Sequence, residues 1–136
     1  MSEELKDLLR DVGLLVLRVG VGVMMIVGHG YPKWLHYAEK AGSFPDPLGV
    51  GAGTSLSLAI FAELVCSALV VVGLATRFAA IPLLFTMGMA AFVIHADDPW
   101  SKQEFALLYG VPFLTILLTG PGRISVDAVI GFWRGD

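Results

Sequence analysis

Four long apolar runs dominate the 136-residue sequence and leave few folds open to it. Residues 13–27 contain one charged residue, Arg18, and residues 55–76 contain one, Glu63, whereas residues 78–94 and 105–122 contain none. Each run is close to the ~20 residues that a helix needs to cross a ~30 Å hydrocarbon core at 1.5 Å per residue. The pattern therefore predicts an all-α fold, a four-helix transmembrane bundle.

The composition agrees with a membrane protein and argues against several soluble classes. Only 15% of the residues are charged and the mean hydropathy is +0.76, whereas a soluble domain of this size needs more surface charge. The single cysteine, Cys66, excludes an internal disulfide and a CxxC redox pair. The net charge of -3 indicates no basic patch for nucleic acid, so no nucleic-acid partner is expected.

The polar segments between the runs predict a single integral membrane domain over residues 1–136. We place the four spans at about residues 14–34, 54–74, 78–95 and 105–120. The short connection "ATR" between the second and third spans predicts an antiparallel hairpin, so the bundle consists of two such hairpins. Before the first span, apolar residues recur at helical spacing at Leu5, Leu8, Leu9 and Val12. We therefore expect short amphipathic helices on the membrane surface at one or both termini.

Lysine and arginine outside the spans predict the orientation of the chain. If both termini face the cytoplasm, that side holds five of these cations, which are Lys6, Arg10, Arg77, Arg123 and Arg134. The outer side then holds three, which are Lys33, Lys40 and Lys102. Because cytoplasmic loops carry the excess of positive residues, we expect the N- and C-termini in the cytoplasm.

Several segments in succession resemble a known family. The first span reads "LLVLRVGVGVMMIVGHGYPKW" and the second "FAELVCSALVVVGLATRFAAIPL"; later come "VIHADD", "EFALLYG" and "TGPGRISVD". This order and spacing resembles the DoxX family of small four-helix bacterial membrane proteins, over about residues 14–128. The resemblance implies a bacterial cytoplasmic (inner) membrane. It also implies a redox setting, because the family takes its name from a membrane subunit of a thiosulfate:quinone oxidoreductase.

Glu63 is the polar residue that the second span has to accommodate. It lies about 13 Å below the outer boundary of that span, counted at 1.5 Å per residue. A charged group at this depth costs about 2.5 kcal/mol or more unless it is paired or faces a cavity. We therefore expect Glu63 to point into the bundle with Arg18 or His29 as its partner. Two interpretations stay open: a structural clamp between helices, or a polar cavity for a ligand or for proton movement.

A candidate polar cleft combines the residues that could meet at the outer end of the bundle. Its members are Arg18, His29, Lys33, Glu63, His95 and Glu104. Imidazole with carboxylate could exchange protons with a quinone head group or bind a transition metal, although no set of metal ligands is predicted. Apolar walls are expected from Val27, Phe92 and Leu108. A site with apolar walls and a few titratable groups is well suited to bind a quinone.

The function predicted from these features is an integral membrane subunit of a bacterial redox system that contacts quinone, or a similar apolar electron carrier, through the buried cleft. Catalysis by this chain alone is not expected, because it has no motif for a bound cofactor. We expect the lipid bilayer, a soluble or membrane redox partner and, as an option, further copies of the chain as its partners. The alternative is a non-catalytic assembly or binding protein in which Arg18 and Glu63 are purely structural. A small transporter is a third, less favoured alternative.

Overall fold

The first long helix runs without a break from Glu3 to Leu35 in the computed structural model, which describes residues 1–135. It is α-helical over Glu3–Met25, forms a π-helical turn over Ile26–Gly30 and continues as an α-helix over Tyr31–Leu35. Ser2 caps its start by accepting a hydrogen bond from the Leu5 amide at 3.3 Å. The short amphipathic helix that the sequence predicts at the N-terminus is thus not a separate helix. It forms the first turns of the first long helix, because the residues before the apolar run contain no helix breaker.

The second and third long helices follow a loop that contains one short helix, Tyr37–Lys40. The second comprises Ala52–Ile60, a π-helical segment Phe61–Cys66 and Ser67–Val72. It ends at Gly73, whose φ of +74° is a left-handed conformation that favours glycine. The third long helix then begins, with Thr76–Met89 as α-helix and Ala90–Ile94 as a π-helical segment.

The fourth long helix is Trp100–Thr119, and a single-turn helix, Val126–Val129, follows it. Residues 1–135 contain no β-strand, so an all-helical fold is established for this part of the chain. In the part of the chain that the structure describes, three helices are long and apolar enough to cross a membrane, and they are Glu3–Leu35, Ala52–Val72 and Thr76–Ile94.

The core lies where the four long helices meet. The fourth long helix packs along the third, and the first packs against the second. Large side chains with no exposed surface fill the centre, among them Met25, Leu83, Phe113 and Ile116. The outer faces are also apolar, with Val16, Phe78 and Leu118 among many exposed large side chains. Apolar residues on both faces are typical of helices whose surroundings are lipid.

Candidate functional site

Among residues 1–135, three of the long helices contain a π-helical segment, which lies near the end of the first and of the third long helix and at the middle of the second. The segments are Ile26–Gly30, Phe61–Cys66 and Ala90–Ile94, and the first two pack directly against each other. A π turn is uncommon and is often found at a functional site, because it widens the helix and redirects side chains. At this contact Gly30 touches the backbone of Glu63, so closely that a side chain on Gly30 would have no room. The π segments therefore bring the first and second long helices together around Glu63.

Lys33 is the partner of Glu63. Its Nζ donates a hydrogen bond to Oε1 at 3.1 Å and lies 2.9 Å from Oε2. The side chain of Glu63 is 4% exposed and that of Lys33 is 19% exposed, so the pair is largely removed from solvent. The expectation that Arg18 or His29 would pair with Glu63 is therefore wrong. Lys33 can pair with Glu63 because it follows the Gly30 contact by one turn, and its long side chain extends back along the helix to the carboxylate.

An apolar cavity of about 290 Å³ adjoins this ion pair. Lys33 and Glu63 provide its charged groups, and His95 lies on its lining. The third long helix contributes another wall. The apolar lining includes Phe44, Pro45, Pro47, Leu48, Leu58, Ala59, Phe85, Met87, Met89, Ala90 and Ile94. The cavity therefore has mostly apolar walls and one end that carries the charged side chains of Lys33 and Glu63.

A loop fixed by Asp46 covers one side of the cavity. The Asp46 carboxylate accepts hydrogen bonds from the amides of Val50 at 3.0 Å and Gly51 at 2.8 Å, and from the Ser55 hydroxyl at 2.8 Å. The hydrogen bond from Ser55, followed by those from backbone amides, lowers the pKa of Asp46 below its ordinary value. Because its neighbours on both sides line the cavity, the Asp46 turn holds apolar side chains over the cavity.

The six residues of the predicted cleft do not all meet. The structure brings Lys33, Glu63 and His95 to the cavity. His29 instead packs its ring against those of Phe105 and Tyr109, at centroid distances of 5.3 and 5.2 Å.

Two further acidic side chains make local contacts around the start of the fourth long helix. Glu104 is exposed and accepts a hydrogen bond from the indole nitrogen of Trp100 at 3.0 Å. The Nδ1 atom of His95 lies 2.6 Å from Oδ2 of Asp98, and this hydrogen bond lowers the pKa of Asp98 below its ordinary value.

The predicted walls also differ from the observed ones. Val27, Phe92 and Leu108 are exposed on the outer surface of the bundle and do not line the cavity. They share the depth of the cavity but lie on the lipid-facing sides of their helices. Depth along a helix can be counted from the sequence, whereas the direction of a side chain depends on how the helix is rotated in the bundle.

Arg18 is buried at the opposite end of the bundle and binds backbone carbonyls. Its Nε and Nη2 donate to the carbonyls of Val70 and Val71 at 3.0 and 3.2 Å. Its Nη1 donates to those of Pro121 and Ile124 at 2.5 and 2.9 Å. Arg18 therefore ties the first long helix to the end of the second and to the segment after the fourth. This arrangement is a structural clamp, separate from the cavity.

Asp127 was not singled out by the sequence, yet it caps the third long helix from a distance. Its carboxylate accepts from the amides of Ala75 and Thr76 at 2.7 and 2.9 Å and from the Thr76 hydroxyl at 2.8 Å. A helix start without a capping side chain of its own, as in "LATRF", was the available signal. For Asp46 the signal was an aspartate five residues before Gly51, the glycine that immediately precedes the second long helix. Among residues 1–135, no group of three His, Cys, Asp or Glu side chains could hold a metal ion.

Comparison with known proteins places the chain in a family. The DoxX family profile matches residues 13–96, well over half of the sequence. The chain belongs to the DoxX family. The matched region includes the cavity residues Lys33, Glu63 and His95.

Relatives of this DoxX protein cover most of its length. Inner membrane protein YqjF of Escherichia coli K12 is 30% identical over 129 residues, 90% of this chain and 95% of that protein. Uncharacterized membrane protein Rv3486 of Mycobacterium tuberculosis is 30% identical over 131 residues, 84% of this chain and 78% of that protein. An uncharacterized protein of Haemophilus influenzae is 32% identical over 129 residues, 87% and 90% of the two chains. No solved structure matches the chain. These relatives agree with an integral membrane protein.

Proposed function

We propose that this DoxX protein is a quinone-binding membrane subunit of a bacterial redox system. The observation that carries the proposal is the Lys33–Glu63 pair at the end of an apolar cavity. Ligand sites for apolar molecules combine mostly hydrophobic walls with a few polar groups that fix orientation. The cavity has this character, and its charged groups are of the kind that a quinone oxygen can use.

The size of the cavity supports a ring-sized head group. Its volume of about 290 Å³ lies at the lower end of the range typical of small-molecule sites, about 300–1,000 Å³. Leu58 and Phe85 line it and are also exposed on the outer surface of the bundle. A quinone ring in the cavity can therefore pass its isoprenoid tail between the second and third long helices into the lipid.

The chemistry of the charged pair supports an oxygen ligand. The Lys33 ammonium has three donors, and its contacts with Glu63 leave at least one for a quinone carbonyl. Glu63 is placed to hold or pass one of the two protons that a quinone takes up with two electrons. The electrons come from a soluble or membrane partner, in which the redox group resides. This chain binds, orients and shields the quinone.

The proposal includes the arrangement in the membrane. We infer four spans in two antiparallel hairpins, with Trp100–Thr119 as the fourth, and both termini in the cytoplasm. The count of lysine and arginine outside the spans, five on the inner side and three on the outer, supports this orientation. Reporter fusions at the C-terminus should signal cytoplasm, and fusions in residues 41–49 should signal the exterior. The opposite labelling would contradict this orientation.

A second candidate function is a non-catalytic assembly protein, and the Arg18 clamp favours it because the buried guanidinium donates four hydrogen bonds to backbone carbonyls and does not line the cavity. A titration separates the two. A short-chain quinone is titrated into the purified parent and into Lys33→Met, Glu63→Gln and Glu104→Gln. Glu104→Gln is the matched control, because it makes the same change at an exposed glutamate outside the cavity.

We expect the two cavity variants to bind about tenfold more weakly, since a hydrogen bond to a charged group contributes about 1.5–3 kcal/mol. The control should bind like the parent. If the parent binds no quinone, or if all four proteins bind it with equal affinity, the quinone site is contradicted and the assembly role is the function that remains.

A further inference from the structure

The segment after the fourth long helix forms a fixed foot on the bundle, which we define as residues 125–134. Ser125 caps its short helix by accepting from the Ala128 amide at 3.2 Å. The Asp127 amide donates to the Gly73 carbonyl at 2.8 Å, and the Trp133 amide donates to the Asp127 carbonyl at 3.1 Å. The Trp133 indole lies directly on Gly120. The foot is therefore attached to the ends of both the second and the fourth long helices.

The outward face of the foot is apolar. Val129 is 84% exposed, and Ile130 and Phe132 are also exposed. The Phe132 ring stacks with that of Phe78 at a centroid distance of 6.1 Å, and Phe78 is itself exposed near the start of the third long helix. Because that helix is long and apolar enough to cross a membrane, the apolar face of the foot continues its lipid-facing surface. This continuity points to lipid as the neighbour of the foot.

Arginines flank the apolar face, and their pairing differs. Arg123 contacts Asp11 at 2.6 Å and Asp7 at 3.3 Å, so its charge is offset by the first long helix. Arg77 donates to the carbonyls of Leu117 and Leu118 at 3.1 and 3.2 Å, which are neutral acceptors.

Arg134 lies, with Arg123 and Trp133, on the lining of a depression of about 410 Å³ in the foot. The Asp127 carboxylate is buried and accepts hydrogen bonds from the amides of Ala75 and Thr76, so it does not offset the charges of the arginines at the foot. Among residues 1–135, Arg77 and Arg134 are thus the cations at the rim of the foot that form no ion pair with a carboxylate.

We propose that the foot binds the membrane surface through anionic phospholipid. Val129, Ile130 and Phe132 enter the interface beside the third long helix, and Arg77 and Arg134 contact the phosphates of acidic head groups. An arginine near an anionic lipid surface contributes about fivefold in affinity at physiological ionic strength. The proposal concerns a surface remote from the cavity and does not depend on quinone binding.

The depth of the foot is measured with a nitroxide on Phe132→Cys in nanodiscs of phosphatidylcholine and phosphatidylglycerol. Cys66 is buried, and the labelled parent gives its background. We expect relaxation by oxygen to dominate over relaxation by an aqueous nickel chelate. A label on Glu39→Cys, an exposed position in the loop at the other end, is the aqueous control. A nickel accessibility at residue 132 equal to that at residue 39 would overturn the proposal and leave this face for a protein partner.

The lipid preference is measured by native mass spectrometry of protein released from nanodiscs with equal amounts of the two lipids. The parent should retain phosphatidylglycerol over phosphatidylcholine, and Arg134→Gln should reduce this preference about fivefold. Lys102→Gln removes the same charge from an exposed position at the opposite end and should leave the preference unchanged. An unchanged preference in Arg134→Gln, or none in the parent, would overturn the proposal.

Discussion

Gly30 lies so close to Glu63 that a Cβ at Gly30 would be 2.6 Å from the carbonyl carbon and oxygen of Glu63. It would also lie 2.7 Å from the Leu64 amide nitrogen. All three contacts are with backbone, so no side-chain rotation relieves them. This close approach sets the separation of the first and second long helices at the depth of the Lys33–Glu63 pair, and it depends on the absence of a side chain at position 30.

Replacing Gly30 tests this approach. Gly30→Ala should destabilise the protein by about 2–3 kcal/mol, because overpacking that displaces backbone lies at the upper end of such effects. The measurement is thermal unfolding in detergent. Gly20→Ala is the matched control in the same helix, since its Cβ would meet nothing within 4 Å, and it should be neutral or gain up to about 1 kcal/mol from helix propensity. Equal effects of the two substitutions would contradict the close contact.

The coupling between Lys33 and Glu63 is measurable by a double-mutant cycle. Lys33→Met and Glu63→Gln should each cost about 3 kcal/mol, because each leaves the other charge buried without a partner. The double variant should be more stable than the sum of the two losses predicts. Unfolding in detergent at one temperature gives the four values. Combining Arg18→Met with Glu63→Gln supplies the control, and those losses should add, because Arg18 contacts carbonyls at the other end of the bundle.

Arg18 should matter for stability and not for ligand binding. Arg18→Met removes donors from four carbonyls, and bonds of this kind contribute about 1.5–3 kcal/mol each without being additive. We expect a loss on the order of 4 kcal/mol, and a smaller one for Arg18→Lys, which keeps the charge with fewer directed donors. The quinone affinity of the folded fraction of Arg18→Lys should equal that of the parent. A weaker affinity would connect Arg18 to the ligand site.

The Asp46 turn should open in acid. The pKa of Asp46 is lowered in the folded protein, mainly by the Ser55 hydroxyl, so its contribution to stability is present above the ordinary aspartate value. That contribution is lost as the pH falls through the lowered pKa. A nitroxide on Leu48→Cys should therefore be immobile from neutral pH down to about 5 and become mobile only below about 4. In Asp46→Asn with the same label, the nitroxide should be mobile at every pH. An immobile label in that variant would show that the Asp46 carboxylate does not hold the turn.

The long helices could be predicted from the sequence because the bilayer fixes the length of an apolar run. The inward direction of Glu63 follows from the cost of a charge in the membrane, and Arg18 is placed in the bundle only as its possible partner. Their partners did not follow, since the acceptors of Arg18 are carbonyls that lie up to 106 residues away and carry no side-chain signature. Depth alone points to Arg18 or His29 as the partner of Glu63, and it does not distinguish Lys33. The π segment Ile26–Gly30 changes the rotation of the residues after it, and it directs Lys33 towards the second long helix.

The cavity wall was missed for a related reason. The loop with Phe44 and Leu48 covers the cavity, and Asp46 holds it by accepting three hydrogen bonds. Such a turn has no periodicity that a sequence could display. The outer residues Val27, Phe92 and Leu108 have the right depth and the wrong direction. Bundle rotation is decided by side-chain packing among all the helices, so it is a property of the assembled fold.

Photolabelling with an azido-substituted short-chain quinone tests the central claim most directly, because it reports where the ring lies. The protein is labelled in bilayers, digested and mapped by mass spectrometry, with excess unlabelled quinone as competitor. The quinone site predicts competed adducts in residues 44–63 and 85–95, and their reduction in Glu63→Gln but not in Glu104→Gln. Adducts confined to the His29–Phe105 face, or adducts that the competitor does not reduce, would contradict a quinone site at Lys33 and Glu63.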